Sequence, residues 1–116
     1  MDETFEISET EHDGIPVLSV AGEIDVATAP ELRDHLQACV TKNNSTIVVD
    51  LLDVTFLDST ALGVLVGGLK RCREAGGDLH LVIAEPRILK VFEITGLTEV
   101  FSIHSTVDQA RQASRP

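Results

Sequence analysis

Residues 46–52 read TIVVDLL, an aliphatic run rich in β-branched side chains, interrupted by a single acid. A strand this apolar must be covered on both faces, as a central strand of a parallel sheet is. Parallel strands need crossover connections, and the flanking sequence supplies them. Thr28-Ala29-Pro30-Glu31 matches a capping box, with Thr28 as N-cap, Glu31 reaching back and Pro30 in the first turn. Leu32, Leu36, Cys39 and Val40 then recur at helical spacing until Lys42-Asn43-Asn44-Ser45 ends the helix. Beyond the strand, Asp58-Ser59-Thr60 opens a second helix that runs to about Ala75 and stops at Gly76-Gly77. Either Asp58 or Ser59 can be its N-cap. Leu79 to Ala84 is another buried strand. Pro86 and Gly96 bracket a third helix whose core face is Ile88, Val91, Phe92 and Thr95. Val100 to Ile103 is a short last strand, and Ser105-Thr106-Val107-Asp108 caps a final helix that frays at Ser114-Arg115-Pro116.

The N-terminal part differs in kind. Asp2, Glu3, Glu6, Glu9, Glu11 and Asp13 crowd the first 13 residues, yet Phe5 and Ile7 alternate with polar neighbours. That pattern suits an edge strand whose acids discourage pairing with other chains. His12-Asp13-Gly14 is a turn and Ile15 to Ala21 the second arm of a hairpin, with Pro16 tolerable near its start. The expected order is β-β-α-β-α-β-α-β-α. The expected fold is α/β, a mixed sheet of four to five strands with an antiparallel hairpin followed by parallel strands, and about four helices.

Composition narrows the function. A chain of 116 residues makes one domain, 1–116 with a core over about 3–112, at roughly 100–200 residues per domain. Nineteen acids against 9 bases give a net charge of -10. That argues against a general nucleic-acid binder and against docking on anionic lipid. No apolar run approaches the roughly 20 residues of a membrane helix. The start Met1-Asp2-Glu3-Thr4 has neither a basic nor an apolar leader segment, so no secretory signal is expected. Two cysteines make no disulfide framework, and a cytoplasmic location is expected. Trp and Tyr are absent, which disfavours a base-stacking platform.

Two stretches carry the chemistry. The first is VTFLDSTALGVLVGGLK, residues 54–70. Asp, Ser and Thr at a helix start are ordinarily caps. A serine hydroxyl there is also well suited to carry a phosphate, because free N–H groups and the positive dipole end favour added negative charge. The helix that follows has a core stripe of Leu62, Leu65, Leu69 and Cys72, while Gly63, Val64, Val66, Gly67 and Gly68 leave its other faces apolar or bare. Interior glycine costs about 1 kcal/mol relative to Ala. Three of them imply close approach of a neighbour, either the sheet or a partner protein. The second stretch is GEIDVATAPELR, residues 22–33. The bland reading there is a strand end whose Glu23 and Asp25 are simply solvated. If that strand lies beside 46–52, Asp25 comes near the Ser59 turn.

Other chemistries lack support. No glycine-rich phosphate loop is present, and Ser59 lacks the flanking glycines of a nucleophile elbow. His12, His35, His80 and His104 share no ligand spacing and read as structural or solvated. Cys39 and Cys72 sit on apolar helix faces as inert core thiols. Lys70, Arg71 and Arg73 complement a helix C-terminus. No cofactor or metal is expected.

Three segments together resemble the STAS domain, specifically the bacterial anti-sigma factor antagonists. They are GEIDVATAPELR at 22–33, VVDLLDVTFLDSTALGVLVGGLK at 48–70 and ILKVFEITGL at 88–97. Order and spacing agree over nearly the whole chain, from about Glu3 to Ala110. Ala61 departs, standing where the family most often has glycine. The resemblance implies a non-enzymatic regulator whose unphosphorylated form binds an anti-sigma factor, so that the sigma factor is released. It implies a partner that is also a serine kinase of the histidine-kinase-like ATPase class, acting on the serine after the family's Asp. That serine is Ser59, with Thr60 the minor alternative. A metal-dependent serine phosphatase is the implied reset. Asp58 matches the acid beside the phosphoacceptor and Asp25 the acid of the Gly-Glu-Ile-Asp segment. The expected partner surface is Glu23, Asp25, Asp58, Ser59, Thr60, Gly63, Val64 and Gly67, on a monomer or weak dimer. One other reading keeps the fold and makes the chain a STAS interaction subunit of another assembly, a stressosome or a lipid-transport complex, without a kinase switch. A second makes Ser59 the nucleophile of a small hydrolase, for which the sequence positions no histidine base.

Overall fold

A computed structural model describes residues 5–41 and 45–115. Its elements are β1 (Glu6–His12), β2 (Ile15–Ile24), α1 (Ala29–Thr41), β3 (Ile47–Leu57), α2 (Ser59–Glu74), β4 (Leu79–Val82), α3 (Pro86–Ile94), β5 (Ser102–His104) and α4 (Val107–Ala113). The five strands form one sheet in the order β1-β2-β3-β4-β5. β1 pairs antiparallel with β2, and every later pair is parallel. The α/β mixed sheet with four helices is the architecture the element order implies. The expectations at Met1–Thr4, at Lys42-Asn43-Asn44 and at Pro116 lie outside the described residues.

Local chemistry explains the elements. His12 pairs with Ile15, so Asp13-Gly14 is a two-residue hairpin loop. Both of its residues have positive φ, 56° and 82°, as a type I′ turn requires. Arg111 and Arg115 clasp Asp13 at 3.1 and 3.3 Å, tying the hairpin to α4. These bonds, Arg115 first, hold the Asp13 carboxyl below its ordinary range.

Several boundaries differ from expectation. β3 runs to Leu57 rather than Leu52, and β2 to Ile24 rather than Ala21. The apolar alternation breaks after Leu51 because β3 is bulged twice against β2, between Asp50 and Asp53 and again between Val54 and Phe56. Each bulge inserts one residue and returns the next apolar side chain to the core. Leu51, Val54 and Leu57 are therefore all buried at a spacing of three. Gly22, at φ 97°, sits at the second shift, a conformation only glycine adopts freely. The first bulge is braced by Asp50, whose carboxylate accepts from the Leu52 N–H at 3.0 Å and from the Ser19 hydroxyl at 3.2 Å. β4 stops at Val82, and β5 starts at Ser102 because a 3-10 turn at Leu97–Glu99 takes up Val100. Thr95 is not a core residue. It caps α3 in solvent, its hydroxyl donating to the Val91 carbonyl at 2.8 Å.

The two sheet faces are unequal. Leu18, Val20 and Ile24 of β2 and Ile47, Val49 and Leu51 of β3 pack against α1, α2 and α3. Among the described residues the other face has only the short α4, whose Ala110 and Val107 cover Ile15, Val17, Val48 and Val82.

Candidate functional site

Two adjacent strand ends build the site. Ile24 pairs with Leu57, and the Asp58 N–H donates to the Ile24 carbonyl at 3.2 Å. That bond ties the β3–α2 turn to the end of β2. Asp25 and Asp58, the next residues after the two strands, therefore emerge together at the carboxyl end of the parallel strands, the usual functional end of such sheets.

Asp58 is the N-cap of α2. Its extended backbone (φ −112°, ψ −173°) lets the carboxylate accept from the Ala61 N–H at 3.0 Å, and its carbonyl accepts from the Leu62 N–H at 3.1 Å. With Asp58 as the cap, Ser59 becomes the first helical residue and its side chain is exposed, as is that of Thr60. The first N–H groups of a helix lack intrahelical partners, so the Ser59 hydroxyl stands at the positive end of a 16-residue dipole.

The facing turn is held as tightly. The Asp25 carboxylate accepts from the N–H groups of Ala27 and Thr28 at 3.0 and 3.1 Å. The Thr28 hydroxyl accepts from the Asp25 N–H and donates to the Glu23 carbonyl, both at 2.9 Å. The expected capping box is thus absent. The Thr28 N–H that Glu31 was to cap goes to Asp25, because an Asx turn three residues earlier reaches it first. Glu23 and Asp25 are half-buried, while Val26 at the tip is 72% exposed. Sequence reasoning passed over Val26, whose one signal was a β-branched residue in a turn.

The glycines of α2 divide. A Cβ on Gly68 would lie 3.0 Å from Leu36 and 3.2 Å from Leu79, so close packing of α1 and the sheet requires it. A Cβ on Gly63 or Gly67 would meet nothing within 4 Å. These two lie on the outward side of α2 with Ser59, and Val64 beside them is half-buried. The expected core stripe shifts accordingly, to Ala61, Leu65, Gly68, Leu69 and Cys72, with Leu62 only half-buried.

The other titratable groups lie elsewhere. His80 and His104 are joined across β4 and β5, Nδ1 to Nε2, at 3.1 Å, and burial holds both imidazoles below the ordinary histidine range. Their pairing was invisible in sequence because 24 residues separate them. Cys39 and Cys72 are buried thiols outside any disulfide, and burial pushes Cys72 up to about 11. Among the described residues, no group of three or more His, Cys, Asp or Glu is placed to hold a metal. No described helix is long and apolar enough to cross a membrane.

This geometry has known counterparts. The STAS domain model matches residues 6–110. An anti-sigma-B factor antagonist of Listeria monocytogenes is 39% identical over 103 residues, covering 89% of this chain and 90% of its own. One from Bacillus subtilis is 40% identical over 86 residues, 74% and 78% of the two chains. The crystal structure of an anti-sigma factor antagonist from Mycobacterium paratuberculosis superposes with a TM-score of 0.89 at 32% identity, covering 97% and 96%. With a family match over nearly its full length and relatives of this closeness, the chain belongs to the STAS domain family, in its anti-sigma factor antagonist branch.

Proposed function

We propose that the chain is an anti-sigma factor antagonist switched by phosphorylation of Ser59. The unphosphorylated form binds an anti-sigma factor through Glu23, Asp25, Asp58, Ser59, Thr60, Gly63, Val64 and Gly67, and so frees a sigma factor. The partner is a serine kinase of the histidine-kinase-like ATPase class, and a metal-dependent serine phosphatase reverses the modification in the cytoplasm. Ser59 is the acceptor rather than Thr60. The observation that carries this reading is an exposed serine at the first position of α2, on the same side as two glycines that no part of the fold crowds. A hydrolytic role for Ser59 gains no support from His80 and His104, which are bonded to each other and lie toward the other end of the sheet, His80 beside Val48.

Charge alone can run the switch. A phosphoserine adds about -1.5 to -2 charges. Two unit charges about 7 Å apart at an effective dielectric of about 20 interact by roughly 2.4 kcal/mol. Against one partner carboxylate the phosphate therefore costs about 4 kcal/mol before screening. The helix dipole offsets about 1–2 kcal/mol, equally in the free and bound states, so it leaves the difference intact. A loss of two to three decades in affinity follows at about 1.4 kcal/mol per decade, with no change of fold.

The test is intact mass after incubation with the anti-sigma kinase of the same genome, Mg²⁺ and ATP. One phosphoryl group is expected on the wild type and none on Ser59→Ala, which should bind constitutively. Ser59→Asp should bind at least about 100-fold more weakly. Unchanged affinity for Ser59→Asp would remove the electrostatic mechanism.

A further inference from the structure

Parallel strands are normally covered on both faces. Here α4 covers only the amino-terminal half of one face, over Ile15, Val17, Val48 and Val82. Beyond it β2 and β3 continue to Ile24 and Leu57, where among the described residues no helix lies over Leu52 and Phe56. The register places Ser8 beside Ser19, Glu6 beside Ala21, and Glu23 beside Phe56 on this bare half. Phe56 is 48% exposed and Leu52 39%. Phe56 is one of only 4 phenylalanines in the chain, which makes its exposure informative. Each bulge of β3 pushes a residue outward here and keeps the stretch from closing into the core.

The charge on this face has one sign. Glu6, Glu23, Asp50 and Asp53 belong to it, and β1, β2 and β3 contain no Lys or Arg. A second copy of the chain would bring the same four carboxylates against these, and anionic lipid would be repelled likewise. The occupant must be cationic with an apolar stripe. From Asp50 to Phe56 the open stretch runs about 20 Å at about 3.3 Å per residue. A helix of about 13 residues spans that length and would continue the layer that α4 begins.

We infer that the half of the sheet face left open by α4, centred on Leu52 and Phe56, is a second docking surface for a cationic amphipathic helix of a partner protein, separate from the Ser59 end. Leu52 and Phe56 seat the apolar stripe, and Asp53 and Glu6 meet its basic flanks.

A labelled 14-residue amphipathic Leu/Lys helix serves as the probe, with a scrambled peptide of equal composition as control. Anisotropy should show the ordered stripe binding at least ten-fold tighter than the scramble. Leu52→Ser/Phe56→Ser should erase that preference, while Ser59→Asp leaves it unchanged. Far-UV circular dichroism and a thermal melt establish that the double variant is folded, and Phe56→Leu, which keeps the apolar contact, should retain most of the preference. Amide shifts in ¹⁵N spectra should move at Ser19, Ala21, Leu52 and Phe56. Equal binding of both peptides, an unaffected double variant, or shifts confined to the Ser59 end would overturn the inference. So would a homodimer that the double variant dissolves, since a second copy would then own the face.

Discussion

Alanine at Gly63 or Gly67 should stabilise this protein and weaken its partner binding. Both positions lie inside α2, and at both a Cβ would meet open space. Gly→Ala in a helix interior gains about 0.8–1 kcal/mol, partly by restricting the unfolded chain. For a domain of this size that is a rise of about 4 °C in Tm for each variant. Gly68 is the internal control. Its new methyl would press on the Cδ1 atoms of Leu36 and Leu79, which are 1% and 0% exposed and have nowhere to swing. Overpacking of this kind costs about 1–3 kcal/mol, so Gly68→Ala should be neutral to destabilising by about 2 kcal/mol despite its better helix propensity. Thermal melts of the three variants, followed by titration of the folded ones with the anti-sigma factor, separate the roles. The expected pattern is a higher Tm with at least ten-fold weaker binding for Gly63→Ala and Gly67→Ala. A lower Tm for either would mean that the fold itself needs the glycine. A higher Tm with unchanged affinity would show that no partner approaches the bare face of α2.

Further expectations concern the interior. Burial lowers the pKa of His80 and His104, so the unfolded chain takes up protons first as pH falls. Their contribution is complete above the unfolded value near 6.5 and is lost below it. Urea melts should show stability declining from about pH 6.5 downward, and His104→Gln should flatten that slope. The Cys72 thiol, pushed up to about 11 by burial, and its buried neighbour Cys39 should react with a disulfide reagent only on unfolding. Fast labelling of the native protein would contradict the packing of α1 on α2. A Cβ at Gly77 would overlap the Ser45 carbonyl. Gly77→Ala should therefore cost more than about 3 kcal/mol, visible as a collapse of the urea midpoint.

What was legible in the sequence was whatever local chemistry decides. The TIVVDLL run and the Asp-Ser-Thr helix start gave a central strand leading to a capped helix, and the parallel crossovers followed. Illegible were features set by tertiary register. The outer half of β3 breaks the period of two because bulges intervene, so the strand was expected to end at Leu52 and Phe56 fell beyond it. Thr28 satisfied the capping-box pattern, yet Asp25 supplies the bonds, a competition that pattern matching does not weigh. The glycines of α2 looked alike in sequence. Only the position of Leu36 and Leu79 separates Gly68 from Gly63 and Gly67.

The two proposed surfaces make opposite demands on charge, and distance weakens the coupling between them. A phosphate on Ser59 acts at contact range on a partner at the helix end, where about 4 kcal/mol is at stake. From the centre of the open sheet face Ser59 is about 15 Å away, reckoned along β3 at about 3.3 Å per residue. Through water, a doubly charged phosphate attracts a lysine at about that distance by roughly 0.5 kcal/mol. Screening over a Debye length of about 8 Å reduces this to about 0.1 kcal/mol. On the proposed switch, phosphorylation would therefore release one partner and be nearly silent to the other. A protein held on the sheet face would stay attached through the whole cycle of the switch, whereas one held at the α2 end would leave and return with each turn of it.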